Sequence, residues 1–286
     1  MHHSSRRTVG GALLSLVLAG GTALAAHAAE PDTWALVGTE VFDARTAGVV
    51  PDRTVLIRGD RIAAVGPVDE VSVPENARIV DAAGRLVVPG FIDVHHHLSA
   101  VLADSVTAGG GGIVHLDMAP DSIRAYRERW AAEYLPYGVT TVRDAGSPDE
   151  YDALRRAWMR PAPDYPDFFP CGGALVTRDS TRTTYQSHTA VADPAGAARR
   201  VERYHDEGFR FVKLYWRLQE PEYVAAYEKA RALGMIPFTH VDFNVTSISW
   251  ALDLGVRQFA HAYTLIKDVL DPEEQYRILQ DRGMTY

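Results

Sequence analysis

Three consecutive histidines, His95 to His97, are the residues of this chain whose type and spacing most directly suggest chemistry. Successive side chains of a β-strand point to opposite faces, so His95 and His97 share one face and His96 takes the other. Two neutral imidazoles held side by side form half of a zinc site. A surface histidine run, or a core strand that happens to carry histidines, is the alternative interpretation.

The residues before this triplet indicate that it ends a buried strand. Leu86-Val87-Val88 is an apolar run, Pro89-Gly90 breaks it, and Phe91-Ile92 resumes the apolar pattern. Because strands buried on both faces contain continuous apolar runs, this context favours the metal interpretation of the histidines.

Downstream of Phe91, predicted helices and strands alternate. A glycine just past a helix end supplies a left-handed cap before the next strand, and five glycines precede apolar or β-branched runs: Gly138, Gly208, Gly234, Gly255 and Gly283. Helix starts are predicted where a capping side chain precedes a proline, at Ser147-Pro148, Asp193-Pro194 and Asp271-Pro272.

This alternation predicts a parallel sheet, and its persistence favours a barrel over an open sheet. The predicted strands end near His95, Asp144, Gly172, Tyr215, His240 and His261. We therefore expect an α/β fold with a (β/α)8 TIM-type barrel over residues 89–286. A whole barrel needs roughly 250 residues, so we expect this one to be incomplete, with about six strands and the start of a seventh at Gly283.

The segment before the barrel contains short predicted strands and tight turns. Residues 54–58 and 61–66 are two such strands, and Gly59-Asp60 between them is a hairpin signal. Further strands are expected near residues 77–81 and 85–88. Residues 29–88 are accordingly predicted to form a small β-domain.

Two motifs carry a resemblance to a known family. Pro89-Gly90-Phe91-Ile92-Asp93-x-His95-x-His97 resembles the first-strand signature of the amidohydrolase superfamily, metal-dependent hydrolases built on a (β/α)8 barrel. The segment from Gly138 to Asp144 resembles the second strand of its imidazolonepropionase-like and prolidase-like branch. The resemblance extends more loosely from about Trp34 to the last residue, and it implies that residues 29–88 form an N-terminal β-sandwich.

Three later predicted strands also carry possible metal ligands at or near their ends: Lys213, His240 and His261. Taken singly, each has an ordinary explanation, since strand-end histidines form hydrogen bonds and lysines extend to water. The order His-x-His, Lys, His, His resembles the binuclear members of the superfamily. The resemblance implies that His95, His97, Lys213, His240 and His261 hold two divalent ions, zinc or else manganese or iron, and that Lys213 is carboxylated.

The chemistry of a lysine suits such a position. Burial favours the neutral amine, which can add carbon dioxide and become an anionic oxygen ligand. The resemblance implies attack of a metal-bridging hydroxide on the carbonyl of an amide, dipeptide or cyclic amide. It also implies a catalytic aspartate at the end of the eighth strand, which we expect beyond residue 286, because Asp93 and Asp144 lie on other strands.

Two alternatives remain open. One is a mononuclear imidazolonepropionase-type hydrolase, with His95, His97 and His240 on a single metal and Lys213 uncarboxylated. The other is an inactive truncated chain or pseudoenzyme that binds metal without turnover.

Substrate contacts are predicted at three polar residues beside these strand ends. Arg217 and Tyr215 could receive a carboxylate, since an arginine pairs well with carboxylates, and His188 could polarise a carbonyl. In that case the substrate is a dipeptide or an N-acyl amino acid. Solvated loop residues are the alternative interpretation of all three.

The composition and the N-terminal segment indicate which partners and which cellular location to expect. The net charge is -8 and no basic stripe is present, which argues against nucleic acid as a partner. Residues 1–28 combine Arg6-Arg7, an apolar stretch and the small-residue pattern Ala26-His27-Ala28. This is typical of a cleaved export signal, similar to the twin-arginine type, and predicts a periplasmic or secreted protein that is not held in a membrane after cleavage. A membrane anchor is the alternative, and a homo-oligomer is left open.

Overall fold

The computed structural model describes residues 32–98, 102, 115–178, 187–215, 217–241, 247–261, 273 and 277. The chain divides into two compact units, Met1–Val87 and Val88–Tyr286. The predicted export signal, the helix start at Asp271-Pro272 and the seventh strand at Gly283 lie outside the described residues. Within the described ranges, none of the helices has the length and apolar character needed to cross a bilayer.

The first unit contains one five-stranded sheet. Its strands are β1 (Thr33–Asp43), β2 (Gly48–Arg58), β3 (Arg61–Pro67), β4 (Arg78–Asp81) and β5 (Leu86–Val87). The order is β3-β2-β1-β4, and β5 also pairs with β1. The hairpin predicted at Gly59-Asp60 is confirmed, because Arg58 pairs with Arg61 across that turn. The predicted second layer of a sandwich is not confirmed, since the described residues of this unit form a single sheet.

The second unit alternates strands and helices, as predicted. Its strands are β6 (Phe91–His96), β7 (Val139–Asp144), β8 (Asp167–Phe169), β9 (Ala174–Thr177), β10 (His188–Val191), β11 (Phe211–Leu214) and β12 (Ile236–Thr239). Its helices are α1 (Pro120–Tyr134), α2 (Asp152–Trp158), α3 (Pro194–Asp206), α4 (Glu220–Ala232) and α5 (Ile248–Leu254).

The described strand pairs of this unit are all parallel. They form the sheets β6-β7-β8 and β10-β9-β11-β12, and a parallel bridge from Thr239 to Phe259 extends the second sheet. The predicted α/β class is therefore confirmed. Strands β9 and β10 differ from the prediction, in which the third strand ends near Gly172 and the next one near Tyr215.

The helix ends follow the glycine pattern of the sequence. Gly138, Gly208, Gly234 and Gly255 all have positive φ, from 71° to 107°. At the start of α3, the Asp193 carboxylate accepts a hydrogen bond from the backbone N–H of Gly196 at 2.6 Å, which confirms the predicted cap.

The cap predicted at Ser147 is wrong. A 3-10 turn, Asp149–Tyr151, precedes α2, and no side chain caps it. The Ser147 hydroxyl instead donates to Oδ2 of Asp144 at 2.6 Å. The serine is therefore used to shape the loop after β7.

Helices pack against the sheets through large buried side chains. Trp130 of α1 stacks on Trp158 of α2 with ring centroids 4.8 Å apart, and both rings are almost fully buried. Val201 of α3 and Tyr223 of α4 belong to a second core with strand β11. Each such buried side chain contributes about 1.5–3 kcal/mol, and this packing holds the strand ends that carry the candidate site.

Candidate active site

The alternation predicted for the histidine triplet is present in the structure. The ring centroids of His95 and His97 lie 5.3 Å apart. His96 points the other way, where it is 3% exposed and packs against Trp130 and Tyr134 of α1. The first and third histidines are therefore available to one site, and the middle one is part of the helix–sheet core.

The histidines of two later strands join them. His240 directly follows β12, and His261 lies two residues beyond the bridge at Phe259. The His261 ring is 4.3 Å from that of His95 and 4.4 Å from that of His240, centroid to centroid. His95, His97, His240 and His261 thus form a contiguous group, here called the histidine cluster.

Lys213 of β11 points into the histidine cluster, as predicted. Its Nζ lies 3.5 Å from Nε2 of His95, and the residue is 1% exposed. The backbone of β11 runs parallel to β12 with Lys213 opposite Phe238. Five residues predicted as metal ligands are therefore neighbours at the carboxyl ends of their strands, where barrel enzymes carry their reacting groups.

The electrostatics of the cluster favour neutral nitrogens. Burial, followed by the charge of Lys213, lowers the pKa of His95 to about 3. Burial also lowers the pKa of His97 and of His261, again with Lys213 as a contributor. Burial lowers the pKa of Lys213 itself to about 8. Metal ligation requires deprotonated nitrogen, so the three histidines are in the metal-binding form at neutral pH, whereas Lys213 loses its proton only above a pKa of about 8.

A backbone carbonyl orients His97. Its Nδ1 donates to the carbonyl of Gly146 at 3.0 Å, which leaves Nε2 as the ring's lone-pair donor. A hydrogen bond of this kind on the second ring nitrogen is typical of metal-binding histidines.

The loop that presents this carbonyl is organised by Asp144. The carboxylate accepts hydrogen bonds from the Gly146 N–H at 3.3 Å and from the Ser147 hydroxyl at 2.6 Å. Burial raises the pKa of Asp144 to about 6. The sequence analysis missed this role, although the run Asp-Ala-Gly-Ser directly after a strand was a signal for a side-chain-stabilised turn.

His261 has an uncommon backbone conformation. Its φ is +66°, a left-handed value that costs a residue with a side chain of order 1–3 kcal/mol. Backbone hydrogen bonds on the preceding residues hold it there: the Ala260 N–H donates to Thr239 at 2.7 Å, and Thr239 donates to Gln258 at 3.0 Å. The fold therefore directs this ring toward His95 and His240.

The three predicted substrate residues lie beside the cluster. The Tyr215 ring is 4.4 Å from His188 and 5.0 Å from His240, measured between centroids. Arg217 is 7% exposed. Burial, and then the charge of Arg217, lowers the pKa of His188 to about 4. The solvated-loop interpretation does not fit His188, which begins β10, or Arg217, which is buried.

The donor set fits a divalent metal by its chemistry. Neutral imidazoles suit zinc, and a lysine that loses its proton easily can become an anionic ligand. In the described part of the chain, no group of three or more His, Cys, Asp and Glu side chains is placed so that it could hold a metal ion by itself. Asp93 has a local structural contact, because its Oδ1 accepts a hydrogen bond from the backbone N–H of His95 at 3.0 Å.

Known proteins resemble this chain in both sequence and fold. It is 33% identical over 263 residues to the imidazolonepropionase of Symbiobacterium thermophilum, covering 76% of this chain and 59% of that protein. It is 47% identical over 129 residues to the imidazolonepropionase of Streptomyces griseus subsp. griseus, covering 38% of this chain and 33% of that protein. The chain thus spans less than two thirds of the length of these relatives.

A solved structure supports the same fold. The putative prolidase from Bifidobacterium longum matches with a TM-score of 0.61 and 20% identity, over 80% of this chain and 54% of that one. The sequence profile of the amidohydrolase family matches residues 86–262, a range that includes the histidine cluster and Lys213. The chain belongs to the amidohydrolase family.

Proposed function

We propose that this chain is a divalent-metal-dependent hydrolase of C–N bonds that acts on a small molecule. The observation that carries the proposal is the meeting of four histidines and one lysine from four segments of the chain, including the 3.5 Å approach of Lys213 to His95. Membership of the amidohydrolase family supports the same reaction class.

We assign the metal to His95, His97, Lys213, His240 and His261, with zinc as the first choice and manganese or iron as the others. A divalent metal supplies such a site with a water of lowered pKa and with polarisation of the substrate carbonyl. The chain's own part is to hold neutral imidazoles in place, as Gly146 does for His97.

The binuclear form, with a carboxylated Lys213, is our preferred version. Two observations support it. The lysine is buried beside His95, and its pKa of about 8 makes the neutral amine accessible near neutral pH. A free amine is the form that adds carbon dioxide.

We infer that the substrate carries a carboxylate next to the scissile amide, as a dipeptide or N-acyl amino acid does. Arg217 is buried and its charge acts on His188, and the planar fork of an arginine pairs well with a carboxylate. The His188 ring is tilted by 48° against that of Tyr215, and a neutral imidazole can donate a hydrogen bond to a carbonyl oxygen. The name of the prolidase neighbour is consistent with this class.

A second candidate is a mononuclear hydrolase of the imidazolonepropionase type, which opens a cyclic amide. The observation in its favour is that both relatives described above are imidazolonepropionases. In that version His95, His97 and His240 hold one ion and Lys213 stays an amine.

The test combines metal analysis with substrate assays on the full-length protein, which includes the catalytic aspartate expected after residue 286. Zinc and bicarbonate are supplied, and hydrolysis is measured on dipeptides, N-acyl amino acids and imidazolonepropionate. We expect turnover on the first two classes and its loss in His240→Ala. His205→Ala is the control, because that histidine lies on the surface of α3 with its side chain 44% exposed. Metal binding without turnover on any of these compounds would instead indicate an inactive metal-binding chain.

We also propose that the protein is exported. The support is the sequence of residues 1–28, with Arg6-Arg7, the apolar stretch and Ala26-His27-Ala28. Mass spectrometry of the protein recovered outside the cytoplasm should give an N-terminus near Ala29. An intact residue 1 on protein retained in the cytoplasm would contradict this proposal.

A further inference from the structure

Arg143 of β7 reaches from its own strand to three other strands and to the segment of Gln258, beneath the histidine cluster. Its Nε donates to the carbonyl of Val94 at 3.0 Å, and its Nη1 donates to Oε1 of Gln258 at 2.5 Å. The guanidinium carbon lies 4.2 Å from the ring centroid of Phe238 and 5.3 Å from that of Phe211.

Each contacted residue stands one to three positions before a residue that we assign to the metal. The pairs in chain order are Val94 with His95, Phe211 with Lys213, Phe238 with His240, and Gln258 with His261. A single side chain therefore touches the segments that carry four of the five assigned ligands. Side chains on alternate positions of a strand share a face, so Phe211 and Phe238 lie directly below Lys213 and His240.

The chemistry of arginine fits this place better than that of an apolar residue. Its planar fork can donate in two directions at once, here to β6 and to the segment of Gln258. The aromatic faces of Phe211 and Phe238 offset part of the cost of burying its charge. An apolar side chain of similar volume could fill the space but could not link Val94 to Gln258.

We propose that Arg143 is a positioning residue for the metal site, which fixes the spacing of the strands that present His95, Lys213, His240 and His261. The inference rests on the proposed function, because it takes those residues as metal ligands. It adds a residue that contacts neither the metal nor the substrate and acts through its neighbours.

The test measures binding of Co²⁺ alone, through its visible absorption, to the full chain and its variants. Arg143→Met should weaken Co²⁺ binding by about 10–100-fold, the usual effect of losing a residue that supports metal ligands. It should also change the shape of the Co²⁺ spectrum, because the ligand geometry is altered. Arg143→Lys should restore little, since an ammonium cannot donate in two fixed directions.

Arg257→Met is the matched control. Arg257 lines the same cavity as Arg143, but its guanidinium donates to the carbonyls of Leu252 and Val256 on its own segment. We expect the Co²⁺ affinity and spectrum of this variant to match the unaltered chain.

A second variant, Gln258→Leu, keeps the experiment decisive if Arg143→Met fails to fold. It removes only the acceptor across the sheet, so we expect a smaller loss of affinity in the same direction. Folded variants that bind Co²⁺ with unchanged affinity and spectrum would overturn the inference and leave the proposed function standing. An unaltered chain that binds no Co²⁺ would overturn the metal-dependent function and this inference with it.

Discussion

The side-chain nitrogen of Lys213 lies 3.5 Å from Nε2 of His95, although 118 residues separate them in the chain. Both groups are basic, and no approach of two protonated cations at this distance would be stable in a buried site. Burial accordingly lowers the pKa of both, to about 8 for the lysine and about 3 for the histidine. At neutral pH the histidine of this pair is therefore uncharged, which is the form of imidazole that can bind a metal ion.

Replacement of Lys213 by alanine should lower the metal content of the protein. In the binuclear version, about two ions per chain are expected for the unaltered protein in bicarbonate, and one or fewer for Lys213→Ala, because the bridging ligand is lost. Inductively coupled plasma mass spectrometry measures the content. Lys229→Ala is the control, since that lysine forms a surface ion pair with Glu202 at 3.5 Å. Equal metal content in Lys213→Ala and the unaltered chain would favour the mononuclear version.

Replacement of Gly146 by alanine should weaken the metal site through His97. Gly146 has a φ of +135°, and an added Cβ would lie 3.2 Å from the carbonyl oxygen of Ser187. The loop must shift, and the carbonyl that orients His97 shifts with it. We expect zinc affinity, measured by competition with a chelating dye, to fall by about 10–100-fold.

Gly234→Ala separates this effect from backbone strain. Gly234 also has a positive φ, +71°, but no atom lies within 4 Å of the position of its added Cβ. A left-handed alanine should cost each variant about 1–2 kcal/mol of unfolding free energy. If both variants lose stability and neither loses zinc affinity, the Gly146 carbonyl does not support the site.

Replacement of Arg217 by methionine should raise KM for substrates with a free carboxylate. A hydrogen bond to a charged group is worth about 1.5–3 kcal/mol, so we expect KM for an N-acyl amino acid to rise by about 10–100-fold. For the uncharged amide of the same compound, we expect KM to be nearly the same in Arg217→Met and in the unaltered chain. Steady-state kinetics on the acid and its amide measure the difference.

Arg199→Met is the control for this variant, because that arginine lies on α3 with its side chain 69% exposed. Parallel losses on acid and amide in Arg217→Met would indicate a structural role for the arginine instead of carboxylate recognition.

The stability of the metal-free protein should depend on pH through Asp144. Burial raises the pKa of Asp144 to about 6, although hydrogen bonds from Ser147 and Gly146 and the charge of Arg155 act to lower it. The folded chain therefore holds this proton more tightly than the unfolded chain. The resulting stabilisation is fully present below the ordinary value of 3.8 and is lost as the pH rises through about 6.

Urea unfolding of the unaltered chain and of Asp144→Asn measures this effect. The free energy of unfolding of the unaltered chain, minus that of the variant, should fall by as much as about 3 kcal/mol between about pH 4 and pH 7, since each pKa unit corresponds to 1.36 kcal/mol. Asp206→Asn is the control, with a side chain that is 74% exposed. A difference that stays constant over this pH range would contradict the raised pKa.

The sequence by itself determined which residues could meet. Glycines after helices and apolar runs before histidines reveal where parallel strands end, and those ends lie at one edge of a sheet whatever the loops do. His95, Lys213, His240 and His261 each lie at or near the end of a predicted strand, so their convergence follows from local patterns. The opposite orientation of His96 follows from the two-residue period of a strand.

Only the tertiary structure decided what supports these residues. The carbonyl of Gly146 reaches His97 across 49 residues, and Arg143 reaches Gln258 across 115. Only the structure revealed β9 and β10 as well, and β10 places His188 beside Tyr215. Such contacts depend on packing between segments that are far apart in the chain, and packing geometry leaves no periodic signal in the residues that make it.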